Sequence, residues 1–451
     1  MTARPPAEPF AVTHRSVFAI ALPMTLAYLT TPLVGIVSLG VVGRLGDPAL
    51  VGGVSIGGLI FDIVFLTFNF LRAGTTGLVA QALGAGDRRA IAATLYRALI
   101  LAVGLGLAVV VLQVPFIVIA QRLIGGSAAV QAATRTYWDV RVLAAPLALA
   151  NYVVLGWLIG LGRAGYGLFL QVVLNGVNIA LGILLVHGLG FGVAGVGWAS
   201  VAAETAAATL GVVYIFRLTD RNAQPGRAEI FNGAAFARMI ALNRDIMIRS
   251  FALLFAFAVF TARSAAAGDV VLAANEILMN LIVLAADFLD GLAAAAEQLA
   301  GRAIGALQRA AFERAVQLTV LWGFAVGAVL SLVLWFAGDT IVAAMTTSEP
   351  VRAAAQAVLA WAALFPVFGT LAYQMDGVFI GATWSVDMRN AMLASVAIYL
   401  IAGWLLAMPL GIVGWWIALL VFFLARGLTL LWRMSVRVGP AFAEAGDARV
   451  P

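Results

Sequence analysis

Apolar residues run along this chain in long uninterrupted stretches, and polar residues gather in the short gaps between them. A helix needs about 20 such residues to cross a hydrocarbon core of about 30 Å. By that measure the pattern predicts twelve spans, near 16–42, 49–80, 90–116, 130–160, 164–187, 192–217, 234–263, 270–300, 311–337, 350–380, 388–408 and 412–433. The short alternating strands of a porin-like barrel do not occur. The first span exceeds the apolar core of a cleavable signal peptide, and no small-residue cleavage motif follows it, so it counts as structure. The expectation is an all-α polytopic membrane protein with twelve transmembrane helices. The longest polar gap, with Pro225 and Gly226, reads as a linker at 217–233. It separates an amino-terminal lobe (1–216) from a carboxy-terminal lobe (234–433), which a tail (434–451) follows.

Composition narrows the chemistry. With 63% hydrophobic and 11% charged residues, the 451-residue chain has too little polar side chain to cover a water-soluble globule. It has no cysteine, which excludes a disulfide framework, a thiolate metal site and a cysteine nucleophile. Only His14 and His187 offer imidazole, so no multi-histidine metal centre is expected. Every basic residue behind the net charge of +6 is arginine, and most lie at span ends, where they report sidedness rather than nucleic-acid binding. Cytoplasmic termini put Arg88, Arg163, Arg217, Arg302, Arg389 and Arg433 inside, with Arg4, Arg221 and Arg449, against Arg44, Arg122, Arg263 and Arg352 outside. Over all arginines the excess is about three to one for that orientation in a bacterial inner membrane. The segment Gly188-Leu-Gly-Phe-Gly192 lacks the strand and Lys-Ser/Thr context of a nucleotide loop. No cofactor and no enzyme activity are expected, and any pumping must draw on an ion gradient.

The two halves resemble each other. A shift of about 220 residues sets Leu78-Val-Ala-Gln-Ala-Leu-Gly-Ala85 on Leu299-Ala-Gly-Arg-Ala-Ile-Gly-Ala306. It also sets Gly156-Trp-Leu-Ile-Gly160 on Gly377-Val-Phe-Ile-Gly381, and Gly192-Val-Ala-Gly195 on Gly411-Ile-Val-Gly414. Six spans per half make this a parallel repeat, hence two pseudo-symmetric six-helix lobes of the kind that enclose an alternating-access cavity.

On these residues, together with Pro32-Leu-Val-Gly35, Val42-Gly-Arg-Leu-Gly-Asp47, Leu272-Ala-Ala-Asn-Glu-Ile277, Asp376-Gly-Val-Phe-Ile-Gly-Ala382 and Ala425-Arg-Gly-Leu428, the chain resembles the multidrug and toxin extrusion (MATE) family, in its DinF-type branch. The resemblance implies efflux of amphipathic, often cationic small molecules driven by inward proton or sodium flow, with the lipid bilayer as surroundings. It also exposes two departures. Family members usually carry an aspartate in the first span, matched here by Ser38, and another in the fifth span beyond Asn178, matched by Gly182. Neither serine nor glycine titrates near neutral pH. Loss of coupling, leaving an uncoupled facilitator, is one consequence to weigh. A lipid-linked precursor flippase is another relative, although its pyrophosphate cargo would ask for a cationic cavity.

The eighth span carries four acids, Glu276, Asp287, Asp290 and Glu297. An ionisable group inside a span is costly and marks function by default. At about 100° per residue all four fall within about 80° of one helix face. Such a stripe is expected to line the cavity or the carboxy-lobe interior, with Asp287 and Asp290 as mid-span proton carriers. The repeat sets Asn69-Phe-Leu-Arg72 against Asp287-Phe-Leu-Asp290, which offers Arg72 as an ion-pair latch. The resemblance adds Asp376 as a carboxy-lobe cation ligand. Asp62, Asn69, Arg72, Asn178, Ser38 and Tyr152 are the candidate cavity residues. Arg249 is expected to pair structurally with an acid. Asp139, Arg141 and Glu204 read as buried pairs or interface groups. Pro23, Pro32, Pro146 and Pro366 lie inside spans, where proline removes a backbone hydrogen bond, and Pro32 is the candidate hinge.

Overall fold

The computed structural model describes residues 10–220 and 223–447. Arg4, Arg221 and Arg449 lie outside the described residues. All regular elements described are helical. They are α1 (His14–Gly43), α2 (Pro48–Thr67), α3 (Phe70–Gly84), α4 (Arg88–Val111), α5 (Gln113–Ile124), α6 (Ala128–Arg141), α7 (Ala145–Gly160), α8 (Ala164–Ile183) and α9 (Gly192–Leu218). The short α10 (Arg227–Ile230) precedes α11 (Gly233–Ala266), α12 (Asp269–Gly305), α13 (Arg309–Met345), α14 (Glu349–Gly381), α15 (Ser385–Leu410) and α16 (Ile412–Asp447). Twelve helical stretches are long and apolar enough to span a bilayer, so the chain is an all-α polytopic membrane protein.

Local chemistry explains where elements begin and break. Asp47 accepts a hydrogen bond from the Ala49 amide (2.8 Å), and Pro48 opens α2 where a missing N–H costs nothing. Asp87 caps α4 in the same way, through Ala90 (2.9 Å). The second span is broken by a turn at Phe68-Asn69, which separates α2 from α3. The fourth is broken between α6 and α7 by a 3-10 turn at Val142–Ala144, just before Pro146. The fifth ends in a π turn at Leu184–Gly188. The third predicted span is shorter than expected: α4 ends at Val111, and the separate helix α5 follows. By contrast α1 passes through Pro23 and Pro32 as one continuous helix.

The chain divides into two compact units. Among the described residues, the amino-terminal unit comprises Leu26–Val79 and those from Asp87 to Met239; the carboxy-terminal unit comprises those up to Thr25, Ala80–Gly86 and those from Ile240 on. This differs from a division at the polar linker 217–233, because the ends of two amino-half helices pack into the carboxy-terminal unit. A Cβ at Gly291 would collide with Thr25 of α1. Gln81 of α3 donates to the Gly381 carbonyl (2.9 Å) and to Thr383 Oγ1 (3.1 Å). Each unit has its own core: Phe61, Trp138, Tyr137, Val142 and Val196 in one, Phe260, Phe365, Trp416, Phe422 and Phe423 in the other.

Candidate functional site

In the carboxy-terminal unit, small residues let α12 and α14 approach until a Cβ at Gly377 would strike the Ala293 carbonyl. Gln374 of α14 donates to the Leu289 carbonyl of α12 (3.2 Å). This close seam sets Tyr373 within electrostatic reach of Asp287 and Asp290 of α12 and of Arg249 of α11. One turn further along α14, the buried Asp376 forms ion pairs with Arg249 and with Arg426 of α16. Arg426 is 1% exposed, also reaches Asp376 Oδ1 through its Nε (3.3 Å), and lies over the Phe423 ring (5.9 Å to centroid). Two guanidiniums on one carboxylate set Asp376 apart from the α12 acids.

The four acids of α12 do not share one environment. The helix is continuous, so they keep one face, but the helix is enclosed on all sides only from Gly291 onward. Glu297 is enclosed (3% exposed), Asp287 is half-buried, and Asp290 and Glu276 are exposed. Thr261 of α11 donates to Glu276 (3.3 Å). The four acids thus share a face but not a depth, and depth along the helix decides how far each is covered.

The repeat register is corrected as well. A Cβ at Gly156 would strike the Arg72 carbonyl, just as one at Gly377 would strike that of Ala293. The pair Gly84 against the Arg302 carbonyl and Gly305 against the Gln81 carbonyl shows the same relation. One shift of 221 residues connects every member of these contacts. It places Asn69 on Asp290 and Arg72 on Ala293, three residues from the pairing suggested by the shared Phe-Leu. That pairing was a local coincidence beside the break at Phe68-Asn69, whereas backbone contact reports the true correspondence. Arg72 is half-buried and donates through Nε to Asn69 Oδ1 (3.1 Å).

In the amino-terminal unit Asn178 is buried and donates to Ser200 Oγ (3.1 Å). Gly182 is buried one turn further on, and Ser38 is half-buried on α1. Between these helix ends lies a pocket lined by Val37, Gly40, Val41, Arg44, Ile183 and His187. Pro32 is exposed.

This unit gathers its charge elsewhere. Arg141, at the end of α6, donates to Tyr137 Oη (2.5 Å) and lies over the Phe61 ring (4.4 Å to centroid). It is within electrostatic reach of the exposed Asp62 on α2 and of Glu204 on α9. Glu204 accepts a hydrogen bond from the buried Asn151 of α7 (2.7 Å), whose amide also meets the Glu204 carbonyl (3.0 Å). Tyr152 lies within reach of Glu204, Arg141, Asp62 and Arg72. Asp139 instead pairs with Arg135 (3.7 Å) on the surface.

Sequence reasoning missed Arg426 and Asn151 as site residues. Arg426 carried a signal, since an arginine deep in an apolar span needs a partner; Asn151 carried none. Also missed were Asp245, held by Arg389 (2.7 Å) and Ser385 (3.0 Å), and Asp387, held by Arg433 (2.5 Å) and Arg437 (2.6 Å).

Comparison with known proteins agrees with this architecture. The MatE family profile matches twice, over residues 23–184 and 246–413, once in each half. The chain is 38% identical to DNA damage-inducible protein F of Escherichia coli (strain K12) over 441 residues, covering 95% of this chain and 94% of that one. It is 26% identical to a probable multidrug resistance protein NorM of Caulobacter vibrioides over 421 residues, covering 89% and 84%. Among solved structures, that of a MATE protein in its bent conformation superposes with a TM-score of 0.87 at 17% identity, covering 96% and 97%. An outward-facing multidrug resistance MATE family transporter superposes at 0.84 with 19% identity, covering 95% and 96%. With both halves matched by one profile and a full-length relative at this identity, the chain belongs to the MatE family, which is a family of transporters and not of enzymes.

Proposed function

We propose that this protein is a secondary active antiporter of the bacterial inner membrane, with both termini cytoplasmic. It exports amphipathic, cationic small molecules by alternating access, in exchange for protons or sodium. Relatives named for multidrug resistance or export support the cargo class. The observation that carries the coupling reading is the grouping of Asp287 and Asp290 beside Tyr373 and Arg249. These two acids are the carriers, and Asp376 is the counter-charge that orients Arg249. Glu276 and Glu297 mark the accessible and enclosed ends of the ion path. Asp62, Asn69, Arg72, Asn178, Ser38 and Tyr152 face the cargo, and Pro32 is the hinge.

Efflux of a cationic dye from proteoliposomes, under an imposed proton gradient and then a sodium gradient, tests this. Wild type accumulates dye against its gradient, and Asp287→Asn with Asp290→Asn loses accumulation by about tenfold or more, as removal of one coupling free energy requires. Downhill dye movement indifferent to both gradients, unchanged in the double variant, identifies the uncoupled facilitator instead. Ser38 and Gly182, without the family carboxylates, are the observation that favours that second reading.

A further inference from the structure

Resting on the exchange reading above, we propose that Glu204 is a second proton-binding site, in the amino-terminal unit, and that its charge acts on the break in the fourth span through Arg141 and Asn151. The family positions for carboxylates in this unit hold Ser38 and Gly182, yet the unit keeps Asp62 and Glu204 inside its spans, besides Asp139, which pairs with Arg135 (3.7 Å). Both lie within electrostatic reach of the Arg141 guanidinium, which donates its hydrogen bond to Tyr137; that holds for Asp62 and for Glu204 alike. Two carboxylates around one guanidinium leave one negative charge for a proton to neutralise.

Glu204 is placed to transmit that event. It bonds Asn151, which belongs to α7, and attracts Arg141, which ends α6. Between those residues lies the 3-10 turn Val142–Ala144, a ready-made discontinuity of the kind that serves as a hinge. With Glu204 ionised, α9 holds both halves of the span, one by a charge-assisted hydrogen bond and one by ionic attraction. A proton taken from water by the Glu204 carboxylate leaves Arg141 to Asp62 and to its donation to Tyr137, and loosens α6 from α9 while the Asn151 contact persists. Other titratable groups about Glu204 are Tyr152 on α7 and Tyr137 on α6 beside Arg141. Those of the remaining packed elements are engaged elsewhere: Tyr166 of α8 meets Tyr214 further along α9 (ring centroids 4.8 Å), and His187 of the π turn lines the pocket near Arg44.

The chain has no native cysteine, so a spin-label pair at Thr136→Cys on α6 and Thr205→Cys on α9, both exposed positions, reads this motion without background. The expected result is a label distance that shifts with pH, no longer shifts in Glu204→Gln, which is isosteric and keeps the Asn151 partner, and shifts again in Glu204→Asp. A distance indifferent to pH, or an equal shift in Glu204→Gln, overturns the proposal. Dye accumulation measured alongside falls about tenfold in Glu204→Gln if the site is coupled to transport. Absence of gradient-driven accumulation in the wild type would defeat the exchange reading itself, a result distinct from either outcome of the label experiment.

Discussion

The two units carry the same helix repeat, yet each has one charged cluster built with the opposite ratio of guanidinium to carboxylate. In the carboxy-terminal unit two guanidiniums, Arg249 and Arg426, enclose one carboxylate, Asp376. In the amino-terminal unit one guanidinium, Arg141, serves two carboxylates, Asp62 and Glu204. The backbone seams are equivalent, Gly156 on Arg72 and Gly377 on Ala293, so the difference owes nothing to helix placement. The fold therefore demands that buried charge be compensated within each unit and leaves open which sign is in the majority. The carboxy-terminal unit is locked at Asp376 by its two cation partners, and the carriers proposed for it, Asp287 and Asp290, lie outside that lock; in the amino-terminal unit the carboxylates outnumber the guanidinium they surround.

The sharpest way to break this comparison is to remove one acid from each unit. Asp376→Asn strands two guanidiniums, one of them 1% exposed, and should cost about 3–5 kcal/mol, the penalty for breaking a buried pair. Asp62→Asn, at an exposed carboxylate, should cost less than about 1 kcal/mol. Thermal unfolding of the detergent-solubilised variants measures both, and equal losses would end the claim that one unit is locked.

Next in size is a test of the equivalence itself. Gly156→Ala and Gly377→Ala each push a methyl group into a backbone carbonyl and should destabilise by about 1–3 kcal/mol. The two losses should agree; a loss in one alone would show that the seams are not equivalent.

The smallest effect separates the units where their glycines differ. Gly182 of α8 and Gly403 of α15 differ in the room around them: a Cβ at Gly182 meets only Ala199 at 3.9 Å, whereas one at Gly403 strikes the Trp415 ring. Gly403→Ala should therefore destabilise by about 1 kcal/mol or more. Gly182→Ala should be neutral or stabilise by up to about 1 kcal/mol through helix propensity. Denaturation midpoints decide this, and a destabilised Gly182→Ala would mean that the helices close on Gly182 more tightly than the 3.9 Å approach of Ala199 allows.

Much of this molecule is legible in one dimension. The twelve spans follow from runs of apolar residues whose backbone must satisfy itself in lipid, and Asp47-Pro48 announces a helix start by local capping alone. The repeat is visible because close backbone approach favours glycine at Gly84, Gly156, Gly305 and Gly377, where a larger residue forces the helices apart. Arg249 could be assigned a pairing role, since an intramembrane arginine needs an acid, but its acid lies 127 residues away on another helix. Local identity misled where the chain breaks, as the slip of three residues around Asn69 shows.

Hydropathy and local pattern alone dictate the number and order of the helices, their division into two related halves and the presence of acids that lipid would not tolerate unpaired. These depend on hydropathy and on neighbours a few residues apart. Tertiary structure alone decided which charges meet: Asp376 with Arg249 and Arg426, Glu204 with Asn151 and Arg141, and the differing burial of four acids that share one face of α12. Each of those outcomes depends on how neighbouring helices cover a given depth of the span, and helical periodicity carries no information about that covering.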